Sequence, residues 1–277
     1  MGTVDKIGKY IKFQIEKDEF ELIANNAFKY AIISSPFTIN RMGLDELNKR
    51  IANIIKGKIA ENLLEEFFNN QKISVDFNSC QTPYYQIDRR DFLWRDFEWD
   101  LKNNFITYSE LALDGQTIGK LPCLIPNIKA GDQWDRRNKL YFDSLKGSAY
   151  LFSFMIGKLV NGPLENELVK VNLSKDQTQW LSSLNEKFSG KSFKNEPLNQ
   201  DDFWKTWNEI DIPELHQSFE VGFNSPIYFT AIANAADWPS FKLKKPQSFV
   251  KGLFKTRIDN MGVEVEKLRS LSSIIPF

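Results

Sequence analysis

The residues best suited to chemistry stand in one short stretch, Asp91-Phe-Leu-Trp-Arg-Asp-Phe-Glu-Trp-Asp100-Leu-Lys102. Read as two strands around a two-residue Arg95-Asp96 turn, it pairs Trp94 with Phe97 and Phe92 with Trp99. Asp91 then falls opposite Asp100, with Cβ atoms about 5 Å apart. Two carboxylates that close repel each other unless a cation lies between them. An oxygen-only donor set suits a small hard ion, Mg²⁺ above all. Side chains alternate along a strand, so Asp100 and Lys102 share a polar face while Trp99, Leu101 and Phe105 form an apolar one. The plain alternative is an exposed hairpin whose cross-strand ion pairs add ~0.2–1 kcal/mol each. Asp88 and Asp96 compete with Asp91 as the first acid. Asp96 suits the turn, which leaves Asp88 as the rival.

These groups need elements to position them. Residues 44–69 carry Leu44, Leu47, Ile51, Ile54, Ile55, Ile59, Leu63, Leu64, Phe67 and Phe68 every three or four residues, which predicts a helix. Asp45 and Glu46 stand near its start, where the helix dipole favours acids. Gly57 interrupts it at a cost of roughly 1 kcal/mol. Glu61 lies along the buried side of this helix, where an acid is costly unless paired or metal-bound. Glu65 and Glu66 read as solvent-facing. Residues 1–38 read as mostly helical, broken at Pro36. Alternating Ile73, Val75 and Phe77 predict a strand, followed by strands over 91–95, 97–105 and 118–125 and a buried one over 149–156. Further on, helices are expected from Ser174 as an N-cap and over 201–210, and 227–236 is apolar. The expected fold class is α/β (α+β), a mixed sheet flanked by helices. At 277 residues the chain reads as a single domain with its core over about 44–160, leaving 161–277 for recognition or dimerisation.

Composition removes other chemistries. His216 is the sole histidine, and Cys80 and Cys123 are 43 residues apart, too few ligands for a zinc site. His216 has no nucleophile signature near it and reads as a surface or capping residue. No G-x-x-x-x-G-K-[ST] or G-x-G-x-x-G occurs. Catalysis would rest on Asp, Glu and Lys with a borrowed hard metal. Two widely spaced thiols fit a reducing cytoplasm. No signal peptide, myristoylation pattern or apolar run of spanning length is read, so no membrane partner is expected.

A helix acid, a strand acid, a short turn and then acid-x-lysine is an order that resembles the PD-(D/E)xK nuclease superfamily, most of all type II restriction endonucleases. Glu61 matches the helix acid, Asp91 the first strand acid, and Asp100-Leu101-Lys102 the D/E-x-K triplet. Arg90 stands where the family name has proline. The resemblance covers about residues 58–104 and implies a restriction-endonuclease-like core. It further implies Mg²⁺ held by Asp91, Asp100 and the Leu101 carbonyl. Lys102 would orient water and neutralise charge on phosphate, and Glu61 would serve a second metal or a water. Double-stranded DNA is the implied substrate, cut to 5′-phosphate and 3′-hydroxyl ends. A homodimer, a companion DNA methyltransferase without stable contact, and a prokaryotic cytoplasmic setting are implied as well.

Lys plus Arg and Asp plus Glu both total 36, so any DNA-binding face must be local. Two segments qualify: 129–139, with Arg136, Arg137 and Asn138, and 242–257, with Lys244 and Lys245. Each reads equally as a solvated loop. Three other readings stand beside the restriction enzyme: a structure-selective repair or recombination nuclease, a non-catalytic DNA-binding protein, and an unrelated binding protein with a chance D-x-K.

Overall fold

A computed structural model describes residues 2–38, 46–86, 90–107, 113–126, 148–157, 169–210, 220–221 and 226–275. The chain opens on a hairpin, β1 (Thr3–Ile7) and β2 (Tyr10–Gln14), where helix was expected. The reason is local: Ile11, Phe13 and Ile15 alternate into the core, and Gly8 takes φ +63° at the turn. Helix α1 (Lys17–Ser34) follows and ends in a 3₁₀ turn at Ser35-Pro36-Phe37, as Pro36 predicts.

Helix α2 (Leu47–Asn70) matches its sequence pattern. Leu47, Ile51, Ile55, Ile59 and Leu63 recur at four-residue spacing and are all buried. The expected strand at 73–77 does not form, apart from one bridge between Asp76 and Leu93. Ile73, Val75 and Phe77 pack against the core from irregular backbone instead.

Strands β3 (Phe92–Trp94) and β4 (Phe97–Thr107) form the expected hairpin. Only the second half of 118–125 is strand. Helix α3 (Gly115–Lys120) precedes β5 (Pro122–Pro126), because the Asp114 carboxylate caps the Thr117 N–H at 2.6 Å. Strand β6 (Ser148–Gly157) is buried at every position, which accounts for its unbroken apolar run.

After β7 (Val169–Lys170) comes α4 (Lys175–Phe188), opened by a reciprocal Ser174–Gln177 capping box. Helix α5 (Gln200–Ile210), β8 (Glu220–Val221) and β9 (Ile227–Asn234) follow. The chain then forms β10 (Lys242–Lys244), β11 (Ser248–Phe249), β12 (Phe254–Lys255), β13 (Asn260–Glu264) and β14 (Arg269–Ser270).

The main sheet runs β1-β2-β9-β6-β4-β3, with β14 also on β9. Its β4–β6 pairing is parallel and the others are antiparallel. The architecture is mixed α/β, a mixed sheet flanked by helices, as expected. The sheet reaches beyond 44–160, since β1, β2 and β9 belong to it. One face packs Phe13, Phe92, Trp99 and Leu151 under α1 and α2. The other buries Tyr150, Phe152 and Phe154 with Ile125, Trp238 and Phe241. Among the described residues no helix is long and apolar enough to cross a membrane.

Candidate active site on the β3–β4 hairpin

The β3–β4 hairpin turns at Arg95 (φ 52°) and Asp96 (φ 62°), the two left-handed positions of a tight two-residue turn. Register is as the sequence predicts: Phe92 faces Trp99, Leu93 faces Glu98, and Trp94 faces Phe97. Aromatic packing fixes it. Phe92 and Trp99 stack with centroids 5.9 Å apart, and the Trp99 Nε1–H donates to the Trp94 carbonyl at 2.9 Å. Trp99 and Leu101 join the helix-side core, so Asp100 and Lys102 face the other way, as expected from alternation.

Regular pairing stops one residue short of the expected Asp91–Asp100 pair. The Asp91 N–H still donates to the Trp99 carbonyl at 2.8 Å. Its carboxylate accepts the Leu101 N–H at 2.5 Å. In an extended strand the N–H and C=O of one residue leave on the same side. The Leu101 carbonyl is thus directed to the Asp91 edge, where β3 has already ended.

Asp100 is buried, at 4% exposure. Its Oδ1 lies 2.6 Å from Lys102 Nζ, and its Oδ2 lies 3.8 Å from the Arg90 guanidinium. Arg90 also donates to Ser148 Oγ at 3.0 Å and lies 5.9 Å from the Tyr150 ring centroid. Lys102 Nζ stands 5.7 Å from the same ring. Burial and the charge of Asp100 push the Tyr150 hydroxyl far above its ordinary value, against the pull of Arg90.

Glu61 reaches the group from α2. Lys58 pairs with it at 2.5 Å, one helical turn back, and Lys58 also covers the Tyr30 ring at 4.8 Å. Asp91 registers the crowding. Burial, then the charges of Glu61 and Asp100, hold its carboxyl well above the usual carboxylate range, while Lys102 and the Leu101 N–H pull it down. Glu65, read as solvent-facing, is half-buried, and burial with Glu66 nearby raises it too. Glu66 is exposed, as expected.

The structure therefore brings Asp91, Asp100, Leu101 and Lys102 together, with Glu61 near enough for its charge to act on Asp91. Among the described residues no group of three or more His, Cys, Asp or Glu forms a ready-made metal cage. Lys102, Arg90 and Lys58 occupy the carboxylates instead. The donor set is nonetheless oxygen throughout, the kind a hard divalent ion takes, and the charges of Glu61 and Asp100 add to the burial that raises the Asp91 carboxyl.

Sequence reasoning missed Arg90, Ser148 and Tyr150 as members of the site. In the sequence Arg90 is marked by its place in the basic Arg89-Arg90 pair and in the proline position, Tyr150 is an ordinary residue of the 149–156 strand, and Ser148 falls just before it. Lys58 was legible as the i,i+3 partner of Glu61. Asp88, Arg136, Arg137, Asn138 and His216 lie outside the described residues. Lys244 is half-buried in β10, and Lys245 is paired with Asp259 at 2.6 Å. Compared with known proteins, the chain matches no family model, no curated protein and no solved structure.

Proposed function

We propose that the chain is a Mg²⁺-dependent endonuclease that hydrolyses phosphodiester bonds in double-stranded DNA, of the type II restriction kind. One observation carries the reading: the Asp91 carboxylate, bound to the Leu101 N–H at 2.5 Å, stands with buried Asp100 and its partner Lys102 at the point where β3 stops pairing with β4. The order of elements supports it as well, because a helix acid in α2, an acid just before β3 and D-x-K in β4 follow one another.

In this reading Asp91, Asp100 and the Leu101 carbonyl would hold the divalent ion. Such an ion supplies Lewis-acid polarisation of a phosphate oxygen and a lowered pKa for water. Lys102 turns from Asp100 to the phosphate, where its ammonium neutralises developing charge and orients the attacking water. Glu61 positions a water or a second ion from the helix side. Arg90 keeps a positive charge on Asp100 and ties the start of β4 to Ser148 on β6. Tyr150 closes the floor and keeps bulk water from beneath the carboxylates.

Digestion of unmethylated plasmid and phage DNA with Mg²⁺, beside an EDTA control, tests this. Discrete bands that need Mg²⁺ are expected. A Mg²⁺-dependent smear would replace sequence recognition with a repair-type nuclease, and intact DNA throughout would contradict the proposal.

A further inference from the structure

The segment from Lys242 to Asp259 holds six basic residues, Lys242, Lys244, Lys245, Lys251, Lys255 and Arg257, against the single acid Asp259. In a chain of zero net charge this is a local concentration. Lys245 is paired with Asp259, and Lys242 donates to the Pro239 carbonyl at 3.1 Å. Lys251, Lys255 and Arg257 are exposed, and none of the described residues forms an ion pair with them.

The last three sit on and beside a small hairpin. Ser248 pairs with Lys255 and Phe249 with Phe254, and Thr256 closes its base by donating to the Gln247 carbonyl at 2.9 Å. The location of this hairpin gives it meaning. In the parallel β4–β6 pair, Asp100 faces Tyr150, Lys102 faces Phe152 and Asn104 faces Phe154 in register, so these side chains share one sheet face.

The C-terminal chain lies along that face. Trp238 packs on Tyr150 at 5.2 Å, Phe241 on Phe152 at 6.1 Å, and Phe254 of the hairpin on Phe154 at 6.4 Å. Phe154 is one strand across and two residues along from Lys102, about 8 Å by ordinary strand spacing. Duplex DNA carries a phosphate about every 3.4 Å on each strand, so a backbone engaged at Lys102 offers further phosphates within reach of the hairpin.

We infer that the β11–β12 hairpin is a backbone clamp: Lys251, Lys255 and Arg257 bind phosphates of duplex DNA that lies over Asp100 and Lys102. The inference rests on the nuclease reading for its partner and adds the surface that holds it. It moves the DNA contacts from Lys244 and Lys245 to three residues at the other end of the segment. Phosphate contacts of this kind fix position without reading bases.

The test is fluorescence anisotropy of the full chain with a labelled 30-base-pair duplex in EDTA, at several salt concentrations. Wild type is compared with Lys251→Ala/Lys255→Ala/Arg257→Ala, with the charge-keeping Lys251→Arg/Lys255→Arg/Arg257→Lys, and with Lys102→Ala. Losing three phosphate contacts lowers the slope of log K against log salt by about 2.7. The alanine variant should bind at least tenfold more weakly and the charge-keeping variant like wild type. Circular dichroism of each variant checks that the exposed substitutions leave the fold intact.

Wild-type affinity and slope in the alanine variant would overturn the clamp. So would an equal loss of binding to vesicles rich in phosphatidylserine, which would mark a general anion surface. Cleavage by wild type that Lys102→Ala abolishes, with the hairpin variant binding normally, would sink the clamp and leave the nuclease. Hairpin-dependent binding without cleavage by wild type would do the reverse.

Discussion

The Asp91 carboxylate accepts the Leu101 N–H at 2.5 Å, across the point where β3 stops pairing with β4. That one bond draws the first acid to the D-x-K strand, and among the described residues β3 pairs with β4 no further along that edge. An acid in this position is held at an energetic cost, because burial first, and then the charges of Glu61 and Asp100, disfavour its charged form.

Asp91→Asn should therefore stabilise the metal-free protein. The folded-state proton affinity of Asp91 is raised, so its share of stability is complete below the ordinary carboxylate range and is lost as pH rises through the folded value. Asparagine keeps an acceptor for Leu101 and has no charge to lose. Thermal unfolding in EDTA should show the variant a few degrees above wild type at pH 7.5 and equal to it near pH 3. Added Mg²⁺ should raise wild type at pH 7.5 and leave the variant unmoved. A variant less stable than wild type at pH 7.5 would show that the carboxylate is adequately paired.

Arg90 links three strands: it precedes β3, faces Asp100 on β4 and donates to Ser148 on β6. Arg90→Ala leaves Asp100 buried with Lys102 as its remaining close cation and the Ser148 bond unmade, a loss of about 2 kcal/mol. Arg90→Lys restores the charge without that bond and should recover part of it. Urea denaturation of the two variants measures this, and equal stability of Arg90→Ala and wild type would remove Arg90 from the support of the site.

The Arg95-Asp96 turn places two non-glycine residues at positive φ. Arg95 lies over the Trp94 ring at 4.7 Å and is best kept. Asp96→Gly relieves the left-handed strain and should stabilise by about 0.5 kcal/mol, less than the full steric term because glycine also frees the unfolded chain. Thermal unfolding reads it out. A drop in stability would mean that the Asp96 side chain contributes more than its backbone costs.

The hairpin was legible because its two periodicities, aromatic inside and charged outside, agree with a turn of fixed length. Helix α2 was legible because Ile51, Ile55, Ile59 and Leu63 repeat at its pitch. Residues 3–14 misled because their alternating pattern is short and adjoins a true helix. Gly115–Lys120 misled because one capping bond from Asp114 outweighed the β-branched residues of the stretch. The closeness of Asp91, Asp100 and Lys102 could be anticipated from the hairpin register, and Glu61 was added to them by the resemblance in chain order. Arg90, Ser148 and Tyr150 could not, because their contacts depend on the parallel β4–β6 register, a long-range pairing with no local sequence mark. The same register sets Phe154, on which Phe254 of the basic hairpin packs, two residues along from the residue that faces Lys102.

The most direct measurement of the central claim is the rate of plasmid cleavage in Mg²⁺ by wild type, Lys102→Ala and Lys102→Arg at equal protein concentration. Removing one positioned charge stabiliser costs about 10²–10³-fold in rate. Lys102→Ala should lose that much while still folding and binding duplex, and Lys102→Arg should retain part of the activity. Cleavage by Lys102→Ala at the wild-type rate would contradict the account, and so would Mg²⁺-independent cleavage.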